Sequence, residues 1–362
     1  STSGCVATSA GIAMTVNPAI TATISSSDAD NTICAGTSVT FTALPSGAAT
    51  YNFRVNGASV VSSASNTYTT SALATGSVVD VIITTAAGCT STSAGITTTV
   101  NPLPGATLVS NDANNIICAG TAVTFTATPL GASTYNFRVN GASVVSSGVN
   151  TYTTSALNNG DVVSVTITST SGCVATSAGI AMTVNPSITA TISSSDADNT
   201  ICAGESVTFT ALPSGAATYN FRVNGVSVIS SASDTYTTSA LATGSVVDVI
   251  ITTAAGCTST SAGIATTVNP LPVASLVSSD ADNIICAGTQ VTFTAAPSGA
   301  ASYDFRVNGV SIGASATNTY TTSTLNNGDV VDVIVSTAAG CSSTSTGIAT
   351  TVFVTMDVIR RA

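Results

Sequence analysis

From Ser38 to Leu44 the side chains alternate between apolar and hydroxyl-bearing. Val39, Phe41 and Ala43 fall on one side, Thr40 and Thr42 on the other. A period of two over that length predicts a strand with one buried face. Ile20–Ser25 predicts an earlier strand, and Ser26–Asn31 a polar turn. Tyr51–Val55 and Ala58–Val61 read as a hairpin around Asn56-Gly57, a pair favoured in type I′ turns because both positions need positive φ. Thr67–Leu73 predicts a further strand. Val78–Thr84 is the most apolar one, with Val79, Val81 and Ile83 directed inward. Ala86-Ala87-Gly88 then turns the chain into a last strand over Ser91–Val100. No stretch has helical periodicity over a useful length.

This whole pattern is written four times. Cysteines at 5, 34, 89, 118, 173, 202, 257, 286 and 341 are spaced alternately by 29 and 55 residues, which sets a repeat of 84. Tyr-Asn-Phe-Arg-Val-Asn-Gly starts at Tyr51, Tyr135 and Tyr219, and returns with Asp304 in place of Asn at Tyr303. The expected domains are 18–101, 102–185, 186–269 and 270–353, joined at Pro18, Pro102, Pro186 and Pro270. Residues 1–17 copy 169–185 and are expected to be the end of a preceding repeat; 354–362 form a non-repeat tail. The start within a repeat leads to the expectation of a longer natural protein. About seven short strands per repeat, with turns every 8–12 residues or so, predict an all-β fold of tandem antiparallel sandwiches with immunoglobulin-like topology in an extended array. The tryptophan usual in such cores is absent, and Tyr51 and Phe53 are expected to replace it. The first and third repeats share ALATGSVVDVIITTAAGC, whereas the second and fourth share LNNGDVV, so the larger unit is a pair. Alternation of this kind lowers strand swapping between identical neighbours; duplication of an ancestral pair explains it equally well.

Composition narrows the chemistry. The 362 residues contain no lysine, histidine or tryptophan, and one glutamate, Glu205. The usual general base and the commonest metal ligand are therefore missing, as are the amines for Schiff bases or Lys–Asn cross-links. Six Arg against sixteen Asp plus Glu leave no basic surface for nucleic acid or anionic lipid. No run approaches the roughly 20 apolar residues that span a bilayer. An enzyme is not expected, and no cofactor is implied. A module copied end to end points instead to reach, multivalency or elasticity.

The strings DADNTICAGTSVTFTA, YNFRVNG, TYTTSAL and AAGCTSTSAGITTTVNP resemble the Ig-like or PKD-like repeats of very large Bacteroidota surface proteins. Those include gliding-motility adhesins exported by type IX secretion. The resemblance covers residues 1–352 and implies a cell-surface, filamentous, adhesive role. Phe353–Ala362 departs from it, since Phe353-Val354 replaces the expected Asn-Pro.

Two cysteines per small domain, with no histidine and no Cys-x-x-Cys, argue for disulfides over a metal site. Two pairings are open. One stays inside each repeat: Cys34–Cys89, Cys118–Cys173, Cys202–Cys257 and Cys286–Cys341, leaving Cys5. The other joins neighbouring repeats: Cys34–Cys173, Cys118–Cys257 and Cys202–Cys341. Strand parity favours the second. Five antiparallel passes separate Cys34 from Cys89, which places them at opposite ends of a sandwich about 30 Å long, whereas a disulfide needs Cα atoms within about 7 Å. Cys5, Cys89 and Cys286 would then seek partners in other repeats, of the same or an identical chain.

Other positions have competing readings. Asp28/Asp30, Asp196/Asp198 and Asp280/Asp282 are weak calcium candidates, since calcium wants about six to eight oxygens and an Asx-rich turn explains them more simply. Arg54, Arg138, Arg222 and Arg306 recur once per repeat on an outward face. They are either solvated partners of Asp80, Asp248 and Asp332, with Ser164 breaking the pattern in the second repeat, or a repeated surface contact. Outward Ser and Thr suit strand propensity and solubility, or O-glycosylation; no N-glycosylation sequon occurs. The functional expectation is an extracellular stalk or adhesin filament that spans distance and bears load. The alternative is a polysaccharide-binding array, weakened by the absence of Trp platforms and by tyrosines that look like core.

Overall fold

The computed structural model describes residues 3–354; of the expected tail at 354–362, all but Val354 lies outside the described residues. Those residues contain strands, turns and bends but no helix. The chain divides into two compact units, Ser1–Asn185 and Pro186–Ala362. Each holds two repeats, and four separate hydrophobic clusters mark one core per repeat.

The first repeat shows how its sequence builds a sandwich. Its strands are β1 (Thr23–Ser26), β2 (Thr32–Cys34), β3 (Val39–Leu44), β4 (Thr50–Val55), β5 (Ala58–Ser63), β6 (Thr67–Thr70), β7 (Val78–Thr84), β8 (Thr90–Thr92), β9 (Ile96–Thr97) and β10 (Thr99–Asn101). One sheet has the order β1-β3-β6 and the other β5-β4-β7-β8, with β9 also on β7. All those pairs are antiparallel. The exception is β2, which pairs in parallel with β10, Cys34 opposite Asn101. Between the sheets lie Val39, Phe41, Ala43, Tyr51, Phe53, Val79, Val81 and Ile83, each at most 3% exposed. These alternate residues of β3, β4 and β7 are those whose period of two predicts an inward face.

The Asn56-Gly57 turn has φ of 51° and 79°, the left-handed pair that a type I′ hairpin requires. Tyr51 fills the place expected of a core aromatic. Its hydroxyl donates to the Pro45 carbonyl at 2.9 Å and accepts from the Ala48 amide at 3.0 Å, so the polar end of a buried ring is satisfied. Phe53 lies 5.7 Å from the Tyr68 ring, centroid to centroid.

Three predicted elements differ. The strand expected over Ser91–Val100 is broken into β8, β9 and β10. At the first break the Ser93 hydroxyl accepts from the Val81 amide at 3.1 Å, and a Cβ on Gly95 would sit 2.5 Å from Val78 Cγ1. The chain crosses β7 too closely there for any side chain. The strand expected over Thr67–Leu73 ends at Thr70, although Leu73 remains buried. The first strand begins at Thr23 rather than Ile20.

The turn before β7 separates odd from even repeats. In the first repeat the Ser77 hydroxyl accepts from the Ala74 amide at 3.1 Å. In the second, Asp161 takes that place and accepts from the Asn158 amide and from Asn140 Nδ2, each at 2.8 Å. The Asn158 amide, then the Asn140 side chain, hold the Asp161 carboxyl below its ordinary value, and Asp329 is lowered likewise by Asn326 and Asn308. A depressed carboxyl stabilises the fold above its unfolded pKa, and that contribution is lost as pH falls through the folded value. Carboxyl titration by NMR is expected to find both groups below the usual aspartate range, and Asn140→Ala to bring Asp161 back toward it.

Candidate functional site

The site is the joint between consecutive repeats. After β2 the chain turns at once, with the Thr37 amide donating to the Cys34 carbonyl at 2.9 Å and the Ala35 amide to the Asn101 carbonyl at 2.9 Å. Cys34 is thereby fixed beside Asn101, at the end of the sandwich where the linker leaves. In the second repeat, Cys173 sits in the hairpin between Val162–Thr168 and Val174–Thr176. Its amide donates to Ser169 Oγ at 3.1 Å, and its carbonyl accepts from the Ser169 amide at 2.8 Å. That hairpin is at the opposite end of its own sandwich.

Cys34 and Cys173 are joined in a disulfide, with Cα atoms 5.6 Å apart. Cys173 Sγ lies 3.9 Å from the Asn101 carbonyl oxygen, and Cys173 is fully buried. The end of one sandwich therefore meets the beginning of the next, closed by a bridge over a separation of 139 residues. Pro102, Leu103 and Pro104 of the linker line an open groove with the Pro129 loop and Ser169–Ser171 turn of the second repeat. The second unit repeats the arrangement. Cys202 and Cys341 are bridged with Cα atoms 5.5 Å apart, and Cys341 Sγ lies 3.9 Å from the Asn269 carbonyl oxygen.

The pairings within a repeat, Cys34–Cys89, Cys118–Cys173, Cys202–Cys257 and Cys286–Cys341, do not form. The five passes β3 to β7 separate Cys34 from Cys89, one beside Asn101 and the other in the far hairpin. Cys118 and Cys257 are each disulfide-bonded. Cys5, Cys89 and Cys286 are free thiols, Cys5 and Cys286 exposed and Cys89 half-buried. Cys89 has the same hairpin setting as Cys173, its amide donating to Thr85 Oγ1 at 3.1 Å. Cys286 ends a short strand paired in parallel with Thr351–Phe353, as Cys34 does with Asn101.

The acidic turns act as caps in this structure. The Thr32 amide donates to both Asp28 Oδ1 at 3.0 Å and Asp30 Oδ1 at 2.9 Å; Asp196 and Asp198 receive the Thr200 amide and Asp280 and Asp282 the Ile284 amide in the same way. In the second repeat Asn114 replaces one carboxylate and accepts the equivalent bond from Ile116 at 2.9 Å. A neutral amide keeps the geometry, so the turn does not need the second charge. No group of three or more metal-ligating side chains occurs among the described residues. A chelator is expected to leave the melting temperature unchanged in differential scanning calorimetry.

The recurring arginines are not alike. Arg54 clasps Asp80 with Nε at 2.6 Å from Oδ1 and Nη2 at 2.7 Å from Oδ2. Arg222–Asp248 and Arg306–Asp332 repeat this two-point pairing. The hydrogen-bonded carboxylate raises each of these arginines above its ordinary value. Arg138 faces Ser164 and has no such partner. A contact repeated identically in all four copies is therefore not what the structure presents.

No protein-family model matches the chain, and no curated protein does. Among solved structures it is similar to the fibronectin(III)-like modules of Clostridium thermocellum CbhA, at 16% identity and a TM-score of 0.30, over 44% of this chain and 94% of that one. It is also similar to the N-terminal eight Ig domains of the Down syndrome cell adhesion molecule, at 11% identity and a TM-score of 0.33, over 92% of this chain and 48% of the other. A third likeness is to a structure described for host cell surface retention of a 1.5-MDa bacterial ice-binding adhesin, at 19% identity and a TM-score of 0.26, over 70% and 99%.

Proposed function

We propose that this chain is a segment of an extracellular stalk of the adhesin kind, in which sandwiches are locked together in pairs and the array spans distance under load. The observation that carries the reading is the bridge from one repeat to its neighbour, Cys34–Cys173 and again Cys202–Cys341. A bridge inside a sandwich stabilises that sandwich alone, while one across a joint restrains bending between two. Cys89 and Cys286, held like their bonded counterparts, make the same joint with further repeats of the same or an identical chain. Disulfides also require an oxidising compartment, which agrees with a surface location. The resemblance of the repeats to Bacteroidota gliding-motility adhesins supports the same assignment, and the reading gives the chain no catalytic role.

Small-angle scattering of the oxidised 362-residue protein tests this. Reduction is expected to broaden the distance distribution as the joints loosen. A distance distribution that reduction leaves unchanged would sink the proposal, as would peptide mapping that recovers Cys34 linked to Cys89.

A further inference from the structure

Arg138 differs from its three counterparts in what the facing strand presents: Ser164 and Thr166 stand where the other repeats have an aspartate and an isoleucine. Arg54, Arg222 and Arg306 each present Nε and Nη2 to an aspartate directly across the sheet. Opposite Arg138 stands Ser164, which is too short to bridge the gap and carries no charge. Arg138 Nη1 donates to the Gly141 carbonyl at 2.9 Å, while Nε is shut away from solvent without a partner. A buried donor left unpaired is unfavourable, and a guanidinium offers a fixed fork that fits a carboxylate at two points. The cross-strand neighbours are neutral and polar. Asn136 Oδ1 accepts from Ser143 Oγ at 2.6 Å, and Thr166 and Thr176 hydroxyls are 2.9 Å apart.

We infer that Arg138 is an open carboxylate receptor, and that its ligand is a uronate of an acidic polysaccharide. The carboxylate takes the place that Asp80, Asp248 and Asp332 fill in the other repeats. There it accepts from the guanidinium as those aspartates do, once Arg138 shifts to admit it, and the stranded Nε–H gains an acceptor. The hydroxyl and amide groups beside it suit sugar hydroxyls better than an apolar or cationic partner. Among the described residues Arg138 is the one arginine without an acidic partner, so the site occurs once among them. A net charge of −10 opposes long polyanions, which makes the contact weak, salt-sensitive and dependent on many chains acting together.

The test is a titration of the oxidised full chain with oligogalacturonate, followed through arginine Nε–H signals in a nitrogen–proton spectrum. One Nε signal is expected to move, and neutral maltooligosaccharide to leave it in place. Ser164→Asp supplies an internal carboxylate and is expected to weaken binding at least tenfold without loss of fold. Asp80→Ser is expected to open a second site and double the stoichiometry. Free galacturonate producing the full shift at the same concentration would assign the effect to the carboxylate alone and overturn the polysaccharide part. Undiminished binding by Ser164→Asp, or no movement in the parent chain, would overturn the site itself.

Discussion

Held by its two ends and pulled, the oxidised chain is expected to reach less than a quarter of the length it attains once its disulfides are reduced. Each bridge in the two units closes a separation of 139 residues, and the two loops, 34 to 173 and 202 to 341, do not overlap. Force arriving at Cys34 crosses the sulfur–sulfur bond to Cys173 and never enters the main chain between them. The same happens from Cys202 to Cys341. What remains in the path is under a quarter of the 362 residues. At roughly 3.4 Å per extended residue, the fully reduced chain reaches about 1,200 Å and the oxidised chain about 300 Å. Single-molecule force spectroscopy with and without a thiol reductant measures the difference. Reduction should restore a series of unfolding steps, each releasing one 84-residue sandwich, and Cys34→Ser should lengthen the oxidised chain part-way. Equal extensions in both states would contradict the bridging. The bridges also restrict the unfolded chain, by about 5 kcal/mol for a loop of this size in the chain-entropy treatment. That contribution is shared between the two repeats each loop includes.

Much of this architecture is legible in the residues because the module is simple. Alternation in Val39–Leu44, Tyr51–Val55 and Val78–Thr84 names both the strands and their buried faces, and those positions are the core. Asn56-Gly57 fixes its hairpin by a backbone requirement few other pairs meet. Counting reversals places Cys34 and Cys89 at opposite ends without coordinates, since parity needs only the number of passes. What alternation cannot show is a strand too short to alternate. Thr32–Cys34 is three residues long and pairs in parallel with Thr99–Asn101, which no local pattern announces. The interruption at Ser93 and Gly95 is equally silent, because Gly95 is needed for its closeness to Val78, a neighbour distant in sequence. The Arg54–Asp80 pair follows from strand register, but the stranded Nε of Arg138 depends on how a long side chain folds back, and a single sequence carries no sign of that.

The second large effect is local. Phe53→Ala is expected to melt the first sandwich well before the others. Phe53 is fully buried, packs against the Tyr68 ring, and belongs to a cluster confined to its own repeat. Removing a buried phenylalanine costs about 3–5 kcal/mol, against roughly 4–12 kcal/mol for an ordinary domain of this size. At about 4–8 °C per kcal/mol, that sandwich should melt roughly 12–40 °C below its parent temperature. Calorimetry should then show roughly a quarter of the unfolding enthalpy, in proportion to size, moving to a separate low-temperature transition. Movement of the whole transition as one would mean that the four cores do not melt separately. Tyr51→Phe is the milder companion, since it leaves the Pro45 carbonyl and Ala48 amide without the hydroxyl they share, at about 1–3 kcal/mol. The two large effects also constrain one another. Strands β3 to β10 lie inside the loop that Cys34 and Cys173 close. A molten first sandwich in the oxidised Phe53→Ala chain should therefore add almost no length under force, although calorimetry finds it unfolded. Reduction of the same chain should release that slack at negligible force.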